Sequence, residues 1–363
     1  MDPDAVDELC SSSGSVDSTP ESGGEKRHRT YRTADVRRIG HGGTNDPRIL
    51  DFGTTVNPRT PAGLAQVYDS TLAAAQSYPA DDYSAFRAAA AEYVGCEATE
   101  VIPTAGSLAA IRLVVATTVG SGDSALVPYP SFDEYAREVR LQGGNPTFVH
   151  HEELLDIDPA EFALVVVCTP NNPTGTAYSP EELRAYADRC RNVGTLLLVD
   201  ESFIGFTHLD SLAGHEGVVV VRSLSKLFGL PGLRAGFAVA TGRYRDRFDA
   251  TRVTWGLGTP GATVGRYCLQ QAGFVTGTKS RVSAERARMR RRLDRRFDVY
   301  DSDAPFLLLE LGRGDSVDEL LSTLREHDIT VRDARSFRGL ANHIRVNVRL
   351  PEENDQLLDA LDV

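Results

Sequence analysis

The chain is poor in lysine. Of its 363 residues 39 are lysine or arginine, and the only lysines are Lys26, Lys226 and Lys279. Arginine carries the positive charge almost everywhere, although arginine cannot release its proton in a protein and lysine can. A partly desolvated lysine becomes a neutral amine that can attack an aldehyde. We infer that Lys226, which follows an apolar run at 217–221, is present for that chemistry rather than as a surface charge.

The sequence also lacks features of other classes of protein. No apolar run approaches the roughly 20 residues of a membrane span, and no basic-then-apolar signal pattern opens the chain, so a cytoplasmic location is expected. The formal net charge of −12 argues against nucleic acid as a partner. The cysteines form no C-x-x-C pair and are odd in number, which predicts reduced thiols and no zinc site. They are Cys10, Cys96, Cys168, Cys190 and Cys268.

Length and composition predict the domain organisation. A chain of this length fits a large domain with a smaller one. We predict a disordered Ser- and acid-rich tail at 1–28, an arm crossing the surface at 29–60, a large domain at 61–245 and a smaller α+β domain at 246–363. The acidic excess and scarcity of lysine suggest the further hypothesis that the protein is halophilic, adapted to high salt.

From residue 99 onward, short apolar runs alternate with helical patterns. This predicts an α/β fold, with a mostly parallel sheet sandwiched by helices, whose chemistry collects in loops at the carboxyl ends of the strands. The predicted strands are 49–52, 100–103, 125–128, 147–150, 163–168, 195–199, 217–221 and 236–240, and the helices are 61–76, 83–94, 108–118, 132–142 and 180–192.

The C-terminal third shows a helical region followed by an alternating α+β pattern. We predict one long helical region at 243–297, broken near 256–261, whose basic stretch at 281–296 is a solvated face. The predicted strands after it are 305–310, 329–332 and 343–348, and the helices are 316–327 and 352–361.

Unusual polar residues follow the predicted strands. TPNNPTG follows 163–168, Asp200 follows 195–199, and Ser223, Ser225 and Lys226 follow 217–221. A glycine–serine helix start is often only a cap, and N-P-T-G often only a turn. Together, however, a lysine, hydroxyls and an arginine suit pyridoxal phosphate, because its aldehyde needs the lysine and its protonated pyridine nitrogen needs a carboxylate.

The ordered set N-N-P-T-G, D-E-S-F, S-L-S-K and G-L-R-x-G resembles the fold-type I pyridoxal-phosphate enzymes of the aspartate aminotransferase superfamily, from about residue 41 to the C-terminus. The resemblance implies that Lys226 is the Schiff-base lysine and that Asp200 partners the pyridine nitrogen. It implies that Asn172 bonds the phenolic oxygen and that Phe132 stacks on the ring. The residues it assigns to the cofactor phosphate are Gly106, Ser107, Leu108, Ser223, Ser225, Arg234 and, across the interface of a homodimer with shared sites, Tyr78.

Within the superfamily, three features are most similar to threonine-phosphate decarboxylases of cobalamin biosynthesis, and next to histidinol-phosphate aminotransferases. They are H-G-G at 41–43 leading into D-F-x-x-x-x-N-P, the ending at 331–358, and Phe203 in place of the common tyrosine. The implied reaction is decarboxylation of O-phospho-L-threonine to (R)-1-aminopropan-2-yl phosphate. The alternative is an aminotransferase acting on histidinol phosphate or an aromatic amino acid.

The same resemblance implies the substrate residues. Arg345 matches the α-carboxylate clamp, Arg349 and Arg332 are candidates for the substrate phosphate, and Asn57 is a further substrate-binding candidate. Arginine forks suit both anionic groups. For Arg332 an ordinary surface ion pair is an equally good interpretation.

The chain departs from the pattern at two places. The phosphate loop reads T-A-G-S-L-A where G-N-G-x-x-E is usual, so Ala105 and Ala109 replace the usual Asn and Glu, and D-F-G-T-T-V-N-P lacks a serine and an asparagine. Cofactor anchoring should survive, because backbone donors do not depend on those side chains. A non-catalytic pyridoxal-phosphate-binding regulator is a third interpretation, disfavoured by the joint presence of Lys226, Asp200 and Asn172.

Overall fold

The computed structural model describes residues 42–363. The predicted tail at 1–28, the start of the arm at 29–41 and His41 of the H-G-G motif lie outside the described residues. The strands of the described chain are β1 (Leu50–Asp51), β2 (Val101–Thr104), β3 (Ser124–Tyr129), β4 (Asn145–His150), β5 (Leu164–Cys168), β6 (Leu196–Asp200), β7 (Val218–Ser223), β8 (Gly236–Ala240), β9 (Asp298–Val299), β10 (Phe306–Glu310), β11 (Ile329–Thr330), β12 (Arg332–Asp333) and β13 (His343–Asn347).

The helices of the same residues are α1 (Leu64–Ala74), α2 (Ser84–Val94), α3 (Ser107–Thr118), α4 (Glu134–Leu141), α5 (Pro180–Val193), α6 (Leu224–Leu227), α7 (Gly242–Thr251), α8 (Thr259–Leu269), α9 (Ala272–Leu293), α10 (Val317–Glu326) and α11 (Pro351–Ala360).

A seven-stranded sheet of order β2-β8-β7-β6-β5-β3-β4 is the centre of the fold. Its strands run parallel except β8, which is antiparallel to both of its neighbours. The sequences LLLVD of β6 and LVVVC of β5 are buried at every position, because helices cover both faces and leave no side for polar residues. The predicted α/β fold with a mostly parallel sheet is confirmed.

Side chains of successive strand residues enter different cores. Val199 and Val167 pack into a core that includes α2 and α5, whereas Leu198 and Val166 pack on the other face with α3, α4 and α7. This alternation fixes the register of the strands. The carboxyl ends of β5, β6 and β7 consequently lie side by side, with Cys168 beside Asp200.

A second, four-stranded antiparallel sheet of order β12-β13-β10-β9 is built from the C-terminal part. All five residues of β13 are buried. The pairing of β12 with β13 places Arg332 directly opposite Arg345. This sheet therefore brings two guanidinium groups to one place.

Three local expectations need correction. The predicted strand at 329–332 is two strands, because the chain changes partner at Val331: β11 pairs with β1, and β12 with β13. The helical region at 243–297 has a second break, between Leu269 and Ala272. The arm does not only cross the surface, since Phe52 is completely buried.

The basic stretch at 281–296 exposes Arg291, Arg295 and Arg296, but several arginines of the stretch are engaged within the chain. Arg288 bridges Glu285 and Asp355, and Arg296 donates to the carbonyl of Leu361. Val282, Met289 and Leu293 of the same helix are buried in the core. Helix α9 is thus fastened along α11, at the C-terminal end of the described chain.

The division at residue 245 stays a prediction. Helix α8 follows that position and packs on α1 and α2: Tyr267 donates to the carbonyl of Ala62 at 2.6 Å, and Gly265 lies against the ring of Phe86. Among residues 42–363, no helix is long and apolar enough to cross a membrane, the cysteines are free thiols, and His, Cys, Asp and Glu side chains form no cluster fit for a metal ion.

Candidate active site

A cavity of about 500 Å³ lies at the carboxyl edge of the seven-stranded sheet, with walls from both sheets. Its volume suits a small cofactor with a small substrate. It brings together eleven of the residues that the sequence singled out, which are Ser107, Leu108, Phe132, Asn172, Asp200, Ser223, Ser225, Lys226, Arg234, Arg332 and Arg345. Gly106 lies immediately beside it, at the start of α3. Tyr78, Asn57 and Arg349 are not among its lining residues.

Asp200 is held by three hydrogen bonds at the end of β6. Tyr135 donates its hydroxyl to Oδ2 at 2.6 Å, and Ser202 donates both its hydroxyl, at 2.6 Å, and its backbone N–H, at 2.9 Å, to Oδ1. Asp200 is 4% exposed and Tyr135 is completely buried. The carboxyl group therefore has one orientation.

Burial raises the pKa of Asp200, and the bonds from Ser202 and Tyr135 and the charge of Lys226 oppose that rise. Burial also raises the pKa of Tyr135 well above its ordinary value, with the charge of Asp200 as the next cause. Tyr135 thus remains a hydroxyl donor. The three donors favour the ionised form of Asp200, which is the form that can partner a protonated pyridine nitrogen.

Lys226 lies in the short helix α6, one turn past the end of β7. Burial, followed by the positive charges of Arg345 and Arg234, lowers its pKa from 10.5 to about 8, and the charge of Asp200 opposes this change. A substantial fraction of the amine is consequently neutral near pH 8, whereas an exposed lysine would be almost fully protonated there.

Asn57 does not line the cavity but holds the turn that carries Lys226. Its backbone N–H donates to the carbonyl of Lys226 at 2.9 Å, and its Nδ2 donates to the carbonyl of Leu227 at 2.8 Å. Arg281 in turn donates to Oδ1 of Asn57 at 2.8 Å and to the carbonyl of Arg349 at 2.8 Å. Within the described chain, Asn57 supports the backbone beneath Lys226, and its role in substrate binding stays a prediction.

The start of α3 forms a cradle for an anion. Gly106 has φ +91° and no side chain caps the helix within the described residues, so the first N–H groups of α3 remain available as donors. Arg234 approaches so closely that a Cβ on Gly106 would lie 2.7 Å from its Nη2. Arg234 is itself held by the carbonyl of Pro231 at 2.9 Å and by Oγ of Ser225 at 3.3 Å.

Arg345 closes the opposite end of the cavity from β13. Its Nη1 donates to Oδ1 of Asn172, and its Nη2 donates to the carbonyl of Gly53 at 3.1 Å. Its Nε is buried and has no partner among the described residues. The bond from Arg345 also orients the amide of Asn172, leaving Nδ2 as the group that can donate to a cofactor oxygen.

Burial lowers the pKa of Arg345, and the neighbouring charge of Arg332 adds to this effect. Arg332 lines the same end of the cavity, where its Nη2 donates to Ser336 at 3.0 Å and its guanidinium lies 5.3 Å from the ring of Phe337. Two like charges at one end of a cavity favour an anionic ligand.

Arg349 and Tyr78 lie elsewhere. Arg349 pairs with Glu353 at 2.9 Å and donates to the carbonyl of Asp51, so its guanidinium is engaged within the chain. Tyr78 is 78% exposed and lies against Trp255, with ring centroids 4.5 Å apart.

A groove of about 870 Å³ lies next to the cavity, with Tyr68, Leu64 and Gly258 among its walls. It shares two lining residues with the cavity, Pro231 and Arg234. The groove and the cavity are therefore separated only by the segment that holds the anion cradle.

The donor set fits pyridoxal phosphate. The cavity offers an amine with a lowered pKa, a buried carboxylate with donors on both oxygens, an amide donor and the cradle at α3. Gly106 leaves the space that a Cβ would fill against Arg234.

Sequence reasoning missed several cavity residues. Tyr135 bonds Asp200 across 65 positions of the chain, and Gly53 and Phe337 come from segments that had no assigned chemistry. The one local sign was the repetition of aromatics in P-S-F-D-E-Y, since a helix starting after Phe132 carries Tyr135 on nearly the same face.

Comparison with known proteins identifies relatives over most of the chain. A model of the family described as aminotransferase class I and II matches residues 65–361. Histidinol-phosphate aminotransferase 1 of Archaeoglobus fulgidus is 30% identical over 320 residues, which cover 86% of this chain and 98% of that relative.

Solved structures show the same fold. The L-threonine-O-3-phosphate decarboxylase of Porphyromonas gingivalis has a TM-score of 0.79 and 25% identity, covering 86% of this chain and 98% of that one. The histidinol-phosphate aminotransferase of Sinorhizobium meliloti, in complex with pyridoxal-5'-phosphate, has a TM-score of 0.77 and 20% identity, covering 85% and 89%.

Proposed function

Because the chain belongs to the class I and II aminotransferase family, whose members depend on pyridoxal phosphate, we propose that it decarboxylates O-phospho-L-threonine to (R)-1-aminopropan-2-yl phosphate. That product is the aminopropanol phosphate used for the side chain of cobamides. The proposal rests on one observation above all: Arg345 and Arg332 line the cavity that contains Lys226. A substrate with both a carboxylate and a phosphate needs two cationic anchors.

The residues of the chain would divide the work as follows. When bound, pyridoxal phosphate supplies an electron sink for the pair released at the α carbon. Asp200 would hold the proton on the pyridine nitrogen, Asn172 would donate to the phenolic oxygen, and Phe132 would cover a face of the ring. Ser107, Ser223, Ser225 and Arg234 would hold the cofactor phosphate.

Lys226 would supply the amine for the cofactor and then return a proton to the substrate. In the proposed reaction the bond between the α carbon and the carboxylate breaks, carbon dioxide leaves, and the α carbon takes up one proton, for which Nζ of Lys226 is the proposed donor. No oxidant or second substrate is consumed. The orientation of the carboxylate by Arg345 would select this bond for cleavage.

Histidinol-phosphate aminotransferase is the second candidate, supported by the relative that is 30% identical. Histidinol phosphate carries a phosphate but no carboxylate, so it would use one of the two guanidinium groups. The transamination of histidinol phosphate also needs a 2-oxo acid, and a carboxylate of that acid could bind the second guanidinium group. Both reactions would use Lys226, so cofactor binding does not separate them.

The test is incubation of the purified, cofactor-loaded protein with O-phospho-L-threonine alone, following carbon dioxide and the amine product. Turnover without any 2-oxo acid is expected. If carbon dioxide is absent, while histidinol phosphate converts the cofactor to its amine form and 2-oxoglutarate restores it, the protein is an aminotransferase and the decarboxylase proposal is wrong.

We also propose that the protein is a homodimer whose sites are shared. Tyr78 and Trp255 expose apolar rings, and the adjoining groove shares Arg234 with the cavity, so a second copy over the groove would bring a side chain to the cofactor phosphate. Mixing inactive K226A with inactive Y78A protein would then restore one complete site in each mixed dimer. No recovery after verified subunit exchange would show that Tyr78 does not act across the interface.

A further inference from the structure

The two oxygens of Asp200 are bonded unequally. Oδ1 accepts two bonds, from the hydroxyl and the backbone N–H of Ser202, whereas Oδ2 accepts one, from Tyr135. A carboxylate offers about four lone-pair positions in total. Three are occupied by the protein, and the remaining one belongs to Oδ2.

The hydroxyl of Tyr135 faces two groups, Oδ2 of Asp200 and the thiol of Cys168. The thiol is the weaker hydrogen-bond partner, so the bond to the carboxylate is the stronger of the two. Its ring is completely buried in the core on the α3 and α4 side of the sheet, with its centroid 5.5 Å from that of Phe132. A buried hydroxyl is costly unless it is bonded, and this one is bonded to the oxygen that retains a free lone pair. Both Tyr135 and Asp200 line the cavity.

We propose that Tyr135 is a positioning residue which, by donating to Oδ2, keeps Asp200 ionised and leaves the last lone pair of that oxygen for the ring N–H of the cofactor. This rests on the part of the proposed function that assigns Asp200 to the cofactor. It does not depend on which substrate the protein uses. The hydrogen bond from Tyr135 lowers the basicity of Asp200 and so weakens its competition with the ring nitrogen for the shared proton.

The direction of the effect follows from proton sharing. Without the hydroxyl of Tyr135, the carboxylate loses stabilisation and becomes more basic. The proton between Asp200 and the ring then moves toward Oδ2, and the ring nitrogen loses positive charge. The proton on the nitrogen joining Lys226 to the cofactor is consequently held more tightly.

Other groups also face Asp200 and must stay in place for the comparison. Cys168 lies beside it on β5, as an un-ionised thiol because burial raises its pKa, and Lys226 faces it from α6. Ser202 binds the other oxygen. Neither Y135F nor S202A removes a charge from this group.

The experiment uses the full-length protein loaded with pyridoxal phosphate labelled with ¹⁵N in the ring, without substrate. In Y135F the ¹⁵N resonance should move toward that of unprotonated pyridine, and the pH midpoint of the visible absorption of the lysine-bound cofactor should rise by about one unit, a tenfold change in that equilibrium. S202A should shift the ¹⁵N resonance and the pH midpoint in the same direction as Y135F but by a smaller amount, because the backbone N–H of residue 202 still donates to Oδ1.

Y186F is the matched control. The hydroxyl of Tyr186 is buried and has no partner among the described residues, so its removal deletes the same atom without touching Asp200, and both signals should match the wild type. Signals in Y135F equal to those of Y186F would overturn the proposal, as would a larger effect in S202A than in Y135F. If the Y135F protein does not bind the cofactor, S202A becomes the test. A ¹⁵N resonance and a pH midpoint in S202A equal to those of the wild type would then overturn the proposal. Failure of decarboxylation would leave these signals unaffected.

Discussion

The two ends of the cavity are held in different ways. At the cofactor end, Asp200 accepts hydrogen bonds from Tyr135 and Ser202, and Arg234 donates to Ser225. At the substrate end, Arg345 comes from the second sheet and keeps a buried Nε without a partner in the described chain. The contrast indicates that the cofactor-end side chains Asp200 and Arg234 are held by partners within the chain, while Arg345 at the substrate end retains a buried donor that an anion could satisfy.

The substitution with the largest expected effect is at Lys226, and it tests whether the cofactor end depends on this one amine. K226A should lower kcat by on the order of a thousandfold, because it removes both the cofactor amine and the proposed proton donor. The visible absorption of the lysine-bound cofactor should vanish as well. K279R, which alters the only other described lysine, is the control and should retain activity; a K226A protein with more than a tenth of wild-type turnover would contradict the assignment.

At the substrate end, R345Q should lower kcat/KM roughly 100-fold, because a buried charge-assisted anchor for the carboxylate is lost. R332Q should raise KM for the phosphorylated substrate about tenfold, while threonine without phosphate should lose nothing, since it lacks the group that Arg332 would bind. Steady-state kinetics with both substrates measures this difference.

R349Q serves as the comparison at the same end, because Arg349 is engaged by Glu353 outside the cavity. Its kinetics should resemble the wild type, with a modest loss of stability. If R349Q proves as damaging to KM as R332Q, the division between the two arginines is wrong.

The support beneath the cofactor end can be tested at Asn57. N57A should lower the free energy of unfolding by about 3 kcal/mol, because the buried carbonyl of Leu227 and the guanidinium of Arg281 both lose a partner. Denaturant unfolding measures it. If KM for the substrate rises more than tenfold at unchanged stability, then Asn57 contacts the substrate and does not act through the turn.

A pH experiment connects the two ends. The neutral fraction of Lys226 rises as the pH increases through about 8, so the rate at which the apoprotein takes up pyridoxal phosphate should rise with a midpoint near that pH. R345Q removes a positive charge that lowers the pKa of Lys226, and its midpoint should shift upward. Stopped-flow absorption measures both, and a downward or absent shift would show that the two ends are electrostatically independent.

The smallest effect concerns the whole surface rather than either end. With 51 acidic against 39 basic side chains, we expect the unfolding temperature to rise by several degrees between low and molar potassium chloride, because salt screens like-charge repulsion. Scanning calorimetry measures it. A falling unfolding temperature would remove the support for adaptation to high salt.

The sequence predicted the cofactor end more fully than the substrate end. Asp200, Lys226 and Arg234 each follow a strand or turn that local pattern defines, so their meeting follows from parallel topology. The bond between Tyr135 and Asp200 depends on the packing of α4 against β3, β4 and α3, for which no short-range pattern exists. The motif R-V-N-V-R does not distinguish Arg345 from Arg349. In the structure Arg345 lies in β13 and lines the cavity, whereas Arg349 follows the strand and pairs with Glu353.

Close packing of two backbones decides which positions of the phosphate loop can vary. A Cβ on Gly236 would lie 2.8 Å from the carbonyl carbon of Gly106, and one on Gly106 would meet Arg234. Ala105, by contrast, lines the open groove. A mutational library over this loop should therefore recover only glycine at 106 and 236 but many residues at 105, and attempts to re-engineer the substrate range should begin from the second sheet.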